Sequence, residues 1–146
     1  MGLFDKVFNK GTTENLTGPE AFAGIALCAV AADGVITEEE AISLSVNLMN
    51  RKLYHGYTDR EMRTIFNKLV TIINHEGVNT LMEKSAQALP EDLRQTAFAV
   101  TTDLLLADGI MADSEKKFLE RLQKSLQLTD ETALKIAEVI SIKNKG

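Results

Sequence analysis

The chain has 146 residues, of which 45% are apolar and 25% charged, and its formal net charge is −5. This length supports one domain with its own core, and the composition excludes disorder for the body of the chain. The acidic balance, without any run of Lys or Arg, excludes nucleic acid as the main partner because phosphate binding needs a basic patch. A cation or a basic protein surface fits this charge better.

The single cysteine, Cys28, excludes an internal disulfide, and its apolar neighbours predict a buried thiol. The longest apolar stretch, residues 21–32, is too short and too rich in Ala and Gly to span a membrane. The N-terminus lacks a secretory signal, and Lys6 stands where a myristoylation signal needs Ser or Thr. We therefore expect a cytoplasmic protein with no membrane span of its own.

An N-terminal arm and a polar linker are predicted over residues 1–18. The arm carries four apolar residues at positions i, i+1, i+4 and i+5, which are Leu3, Phe4, Val7 and Phe8. This spacing predicts a short apolar face that packs on the domain. Contact with a membrane surface or with a partner protein is the alternative.

The first half of the domain, residues 19–76, is predicted to hold three helices. The first runs from Pro19 to Ala32 and is apolar on nearly every side, which is typical of a central helix. Thr37 is expected to cap a second helix ending near Leu53. Its main apolar face is predicted to combine Ile42, Val46 and Met49, with Leu44 and Leu48 beside it. A third helix starts at the capping-box pair Thr58 and Glu61 and ends at Gly77.

A connecting helix within residues 77–90 leads to the second half, residues 91–143. The connecting helix is predicted from Val78 to Ala88, before Pro90. Three further helices are predicted, over residues 91–107, from Asp113 and from Asp130. The tail beyond residue 142 is expected to fray.

No segment alternates apolar and polar residues for long enough to form a strand. The predicted fold is therefore all-α, a compact bundle of about seven to eight helices in one domain, residues 1–146. Leu44 matches Leu119 and Thr58 matches Thr129 when the halves are aligned. We expect two pseudo-symmetric three-helix halves related by an approximate two-fold axis.

The strongest signal of this repeat is a pair of acidic corners, residues 32–40 and 107–115. Each reads Ala-Asp-Gly, two apolar residues, a small residue and an acidic cluster that ends in Glu. The first corner has a structural interpretation as a tight turn between helices. Gly34 would take the left-handed conformation just past the helix end, and Thr37 with Glu40 would form a capping box.

Three details favour a bound cation instead. Asp33 and Asp108 would each face the negative end of a helix dipole, which costs about 0.3–1 kcal/mol. Ala112 cannot cap the helix that follows it, so Glu115 has no capping box to complete. Seven of the 21 acidic residues fall in these corners, and a cation would relieve the repulsion between them.

The spacing of the corners also echoes the end of a calcium-binding EF-hand loop, although the earlier ligand positions hold Ala or Leu. Each corner alone has too few ligands, so a site would need carboxylates from both halves, main-chain carbonyls or water. Oxygen ligands favour Ca²⁺, Mg²⁺ or Mn²⁺. The predicted metal ligands are Asp33, Glu38, Glu40, Asp108, Asp113 and Glu115.

Other candidate functional residues are weaker. Asp103 is predicted either at an exposed edge or as an acceptor behind the acidic corner. There is no phosphate-binding loop, nucleophile elbow or Ser/His/Asp arrangement, so we expect a protein that is not an enzyme.

The start Met1-Gly2-Leu3-Phe4-Asp5-Lys6-Val7-Phe8 and the two acidic corners resemble the tellurite-resistance TerB family over nearly the whole chain. The module is also similar to the N-terminal region of a DnaJ-like membrane co-chaperone. The resemblance implies an all-helical fold, a divalent-metal site in the corners and a role in bacterial stress or tellurite resistance. Carried over by position, the ligands are Asp33, Glu40, Asp108 and Glu115, with Glu38 and Asp113 beside them. Ala112 departs from the usual capping residue.

The resemblance also implies association with an integral membrane partner, TerC, and hence a place at the inner membrane through that partner. The alternative function is a metal-independent interaction module. Its acidic corners would then dock a basic surface of a membrane or chaperone partner.

Overall fold

The computed structural model describes residues 15–32, 36–107 and 109–145. Over these ranges the chain forms seven α-helices and no strand, which confirms the all-α prediction. The helices are α1 (Gly18–Val30), α2 (Glu38–Met49), α3 (Asp59–Glu76), α4 (Val78–Ala88), α5 (Arg94–Leu106), α6 (Asp113–Ser125) and α7 (Asp130–Lys143). Two 3-10 turns, Lys52–Tyr54 and Glu91–Leu93, precede α3 and α5. The predicted N-terminal arm lies outside the described residues.

Helix α1 is the centre of the bundle. All of residues 21–29 are buried, and α1 packs against α2, α3, α4 and α5. Helix α5 in turn packs against α6 and α7. The first helix of each half thus contacts the other two helices of that half, although the two-fold axis between the halves stays a prediction. Among the described helices, none is both long enough and apolar enough to cross a bilayer.

Threonine–glutamate capping boxes start the first three helices. The pairs are Thr17 with Glu20, Thr37 with Glu40, and Thr58 with Glu61. In each box the Thr hydroxyl accepts from the Glu backbone N–H, and the Glu carboxylate accepts from the Thr backbone N–H. The boxes at α2 and α3 confirm the predicted caps, whereas the box at α1 was missed because Pro19 was taken as the start signal.

The prediction for α2 was wrong in two respects. The helix ends at Met49, and Lys52–Tyr54 form a separate 3-10 turn. Its buried side holds Leu44 and Leu48, which are 4% and 0% exposed, whereas Ile42 and Val46 are 56% and 59% exposed. Both pairs have helical spacing, so the sequence pattern alone cannot rank them. The packing of α2 against α1 and α3 decides which pair is buried.

Helices α1 and α4 approach closely through small residues. A Cβ atom on Gly24 would overlap the Ser85 hydroxyl, and both residues are fully enclosed. One turn further along α1, Cys28 Sγ donates to the carbonyl of Val78 at 3.4 Å. The predicted burial of Cys28 is confirmed, and this burial raises the pKa of its thiol far above the ordinary value.

The start of α1 is held by polar contacts from distant residues. The Tyr54 hydroxyl donates to the carbonyl of Pro19 at 2.7 Å, and the Tyr54 side chain is buried. Lys68 of α3 forms an ion pair with Glu20 at 3.1 Å. Burial would raise the pKa of Glu20, but the hydrogen bond from Thr17 and the contact with Lys68 outweigh it and lower the pKa.

Replacing Gly24 by Ala is expected to lower the free energy of unfolding by about 1–3 kcal/mol, because the new methyl group would overlap the Ser85 hydroxyl. In a Ser85→Ala background the same change is expected to stabilise the protein by about 1 kcal/mol, since Ala suits a helix interior better than Gly. Urea unfolding of both single variants, the double variant and the unaltered chain measures this coupling. Equal effects of Gly24→Ala in both backgrounds would contradict the close contact.

Candidate metal centre at the acidic corners

The structure describes four of the six predicted metal ligands. Glu38 and Glu40 lie in the first turn of α2, and Asp113 and Glu115 lie in the first turn of α6. The remaining two, Asp33 and Asp108, lie outside the described residues. Within the described ranges, no three His, Cys, Asp or Glu side chains come close enough together to hold a metal ion. A site at the corners would therefore depend on the two aspartates.

The first acidic corner ends in a complete capping box. Glu40 Oε1 accepts from the backbone N–H of Thr37 at 3.0 Å and from its hydroxyl at 2.9 Å. The Glu40 backbone N–H donates to Thr37 Oγ1 at 3.1 Å. Three exposed carboxylates, Glu38, Glu39 and Glu40, thus lie on the positive end of α2, where they stabilise the helix.

The second acidic corner contains half of the same arrangement. Ala112 provides no side-chain acceptor, as expected, so the capping box is incomplete. Glu115 nevertheless caps the helix, because its Oε1 accepts from the backbone N–H of Ala112 at 2.8 Å. This main-chain donor is present whatever side chain Ala112 carries. Only the reciprocal bond is missing, because Ala has no hydroxyl to accept from the Glu115 N–H.

Gly109 reverses the direction of the chain near the start of this corner. Its φ is +79°, in the left-handed region that a Cβ atom disfavours, and its N–H donates to the Leu106 carbonyl at 2.9 Å. The equivalent expectation for Gly34 falls on a residue outside the described ranges.

A cleft of about 510 Å³ is lined by one residue of each corner, Ala32 and Ser114, but by none of the four described predicted ligands; Glu38 lines a different groove, between α2 and α3. Its lining comes from the end of α1, the α3–α4 junction and the exposed side of α6; the residues are Ala32, Ile73, Gly77, Val78, Asn79, Ser114, Lys117, Phe118 and Arg121. Ala32 immediately precedes Asp33 in the chain, and Ser114 lies between Asp113 and Glu115. The exit from α1 and the first turn of α6 therefore border the same space.

The cleft also contains positive charge. Lys117 and Arg121 are one turn apart on α6, and both line the cleft. An ammonium and a guanidinium group at this position can neutralise nearby carboxylates without a metal ion. Any cation bound at the acidic corners would have to compete with these two side chains.

Asp103, in the last turn of α5, has partners at the end of α7. It accepts from Asn144 Nδ2 at 2.8 Å and pairs with Lys143 Nζ at 3.3 Å. The hydrogen bond from Asn144 has the largest effect on the pKa of Asp103 and lowers it. The contact with Lys143 lowers this pKa further, and together they outweigh the opposing effect of partial burial. The expected fraying of the tail was thus wrong for Lys143 and Asn144, which Asp103 ties to α5.

Comparison with known proteins adds no relative to this picture. No family model, curated protein or solved structure matched the chain. The resemblance to the TerB family therefore rests on the sequence motifs alone and stays a prediction.

Ala112→Thr is expected to raise the free energy of unfolding by about 0.5–2 kcal/mol, because it supplies the acceptor that Thr37 supplies to α2. Thr37→Ala is the matched control, and it should lower stability by a similar amount. Urea unfolding measures both changes. If Ala112→Thr left the free energy of unfolding unchanged while Thr37→Ala lowered it, the second corner would not accept a side-chain cap.

The link between Asp103 and the end of α7 should depend on pH. The pKa of Asp103 is lower in the folded state than in the unfolded state. The ionised side chain therefore stabilises the fold fully at a pH above the unfolded-state pKa, and this stabilisation is lost as the pH falls through the folded-state pKa. We expect faster hydrogen exchange at the end of α7 below that pH, and no such step in Asp103→Asn. A carboxyl pKa at or above about 3.9, measured for Asp103 by NMR, would contradict this prediction.

Proposed function

We propose that the chain is a TerB-like, non-enzymatic stress-response protein whose two acidic corners together bind one hard divalent cation. The observation that supports this most directly is the common cleft bordered by Ala32 and Ser114. Ala32 precedes Asp33 in the sequence and Ser114 lies between Asp113 and Glu115, so the proposal assigns the cation to this cleft and requires ligands from both corners to reach it. Neither corner has enough ligands alone.

The assigned roles follow from the capping contacts. Glu40 and Glu115 each use Oε1 for a backbone N–H, and the proposal assigns Oε2 of each to the cation. Asp33 and Asp108 complete the inner set, with Glu38 and Asp113 beside them. A set made only of oxygen atoms selects Ca²⁺, Mg²⁺ or Mn²⁺ over softer metals. The capping bonds would orient the two glutamates before the cation arrives.

The biological part of the proposal rests on the resemblance to the TerB family. It places the protein in bacterial stress or tellurite resistance, on the cytoplasmic side of the inner membrane, beside an integral membrane partner similar to TerC. In this role the bound cation would set the shape and charge of the acidic corners that the partner meets.

Calorimetric titration with Ca²⁺, Mg²⁺ and Mn²⁺ is expected to show binding of at least one of these ions, with loss of binding in Asp33→Asn combined with Asp108→Asn. The midpoint of thermal unfolding should rise with the ion concentration, because binding at 100 times Kd stabilises the folded state by about 2.7 kcal/mol. Lys117→Gln should tighten binding, since it removes a competing charge from the cleft.

The matched control for this experiment is Asp59→Asn combined with Asp130→Asn. These aspartates open α3 and α7, so the control changes the net charge equally but leaves both acidic corners intact. It should bind the ion as the unaltered chain does. An absence of heat for all three ions, or equal weakening by both double variants, would refute the cation site.

A metal-independent interaction module is the second candidate function. The exposed carboxylates of Glu38, Glu39 and Glu40 in one helical turn favour it, as does the lack of a metal-sized cluster among the described residues. Such a surface would attract a basic loop of a membrane or chaperone partner. Partner capture that survives a chelator but weakens with salt would support this function over the cation site.

A further inference from the structure

The groove between α2 and α3 has an apolar wall that is left open by the described residues. Ile42 and Val46, one turn apart on α2, are 56% and 59% exposed. The α3 side of the same groove, whose volume is about 910 Å³, is lined by the half-buried Val70 and by an edge of Phe66, which is only 5% exposed. Adjacent apolar side chains with polar residues along the rim are typical of a surface that another segment covers.

The sequence of residues 1–14, which lie outside the described ranges, carries a matching apolar face. Four apolar residues at helical spacing, Leu3, Phe4, Val7 and Phe8, would form one side of a short helix. A helix of eight residues is about 12 Å long, and α2 has 12 residues along which it can lie. An amphipathic helix in an apolar groove is a common mode of recognition.

The described chain begins beside α3, one of the two helices that form the groove. The Thr17 N–H donates to Glu20 Oε1 at 2.9 Å, and the same oxygen accepts from Lys68 Nζ at 3.2 Å. The arm therefore joins the domain beside α3, where Asn67, the neighbour of Lys68, lines the groove.

The linker has the length to complete the connection. Residues 9–14 span about 20 Å when extended, and a helix with its side chains is about 10–12 Å across. The chain can thus pass around α3 and bring the arm into the groove of the same molecule.

We infer that the N-terminal arm lies in the α2–α3 groove of its own chain, with Leu3, Phe4, Val7 and Phe8 covering the apolar wall formed by Ile42, Val46, Phe66 and Val70. The rim carries both signs of charge, with Glu38 and Asp59 beside Arg63, and the arm carries Asp5 and Lys6. This contact does not depend on the cation site. The groove nevertheless extends to Thr37 and Glu38, so the docked arm would border the first acidic corner.

A nitroxide spin label on Asn9→Cys tests the contact in the full chain. The native Cys28 is fully buried and its thiol pKa is raised, so labelling is confined to the new cysteine. We expect the label to broaden the methyl signals of Ile42, Val46 and Val70. The methyl signals of Leu134 and Val139, which are both 62% exposed on α7, should stay sharp.

Substitutions on both sides of the contact separate docking from misfolding. Phe4→Ser with Phe8→Ser should abolish the broadening, and so should Ile42→Glu with Val46→Glu, whose positions are already exposed. Leu134→Ser with Val139→Ser is the matched control because it replaces equally exposed apolar residues on α7, and it should leave the broadening unchanged. Circular dichroism establishes that each variant keeps its helices.

Three results would overturn the inference. Groove signals that stay sharp, or that broaden no more than those of α7, would show that the arm does not dock there. Broadening that appears only between labelled and unlabelled chains in a mixed sample would assign the groove to a second copy. Sharp groove signals, with arm signals that broaden only on addition of anionic phospholipid vesicles, would make the arm a membrane contact instead.

Discussion

The rest of the fold depends on the complete burial of α1. A helix without a solvent-facing side needs neighbours all around it, and α2, α3, α4 and α5 provide them. Small residues make this enclosure feasible, because Gly24 lets α4 approach until Ser85 occupies the space that a Cβ atom would need. The start of α1 is then held by its capping box and by Tyr54, whose hydroxyl donates to the Pro19 carbonyl. Both acidic corners follow the helices that lead each half, since α1 and α5 each end where a corner begins.

The corners serve structure and the proposed function with the same side chains. Glu40 and Glu115 both bond to backbone N–H groups at the start of a helix, which explains their recurrence without a ligand. A carboxylate has two oxygen atoms, however, and a capping bond to one of them restrains where the other lies. The positive charges of Lys117 and Arg121 in the adjoining cleft add a competing way to balance these acids. In the proposed function, an external cation would compete with these two side chains in the cleft.

The sequence predicts local features of this fold well and tertiary features poorly. The caps at Thr37 and Thr58 and the burial of Cys28 were predictable, because a capping box or an all-apolar helix is contained in a few neighbouring residues. The buried side of α2 was not, because Ile42 with Val46 and Leu44 with Leu48 have the same periodicity. The burial of Tyr54 was not predictable either, since the acceptor of its hydroxyl is the carbonyl of Pro19, far away along the chain. At the site, the first turns carrying the glutamates could be predicted, whereas the cleft that Ala32 shares with Ser114 depends on how the halves pack.

The central position of α1 has a consequence for the order in which the protein is made. The residues that enclose α1 include Val78 and Ser85, which leave the ribosome long after Gly24 and Cys28 do. Until α4 and α5 have emerged, the most apolar helix of the chain has no complete set of neighbours. Contacts of this sequence separation slow folding and prolong the exposure of apolar surface. The nascent first half would therefore present an apolar binding site for a chaperone during synthesis. Once α5 has emerged, α1 can be enclosed and that site is covered.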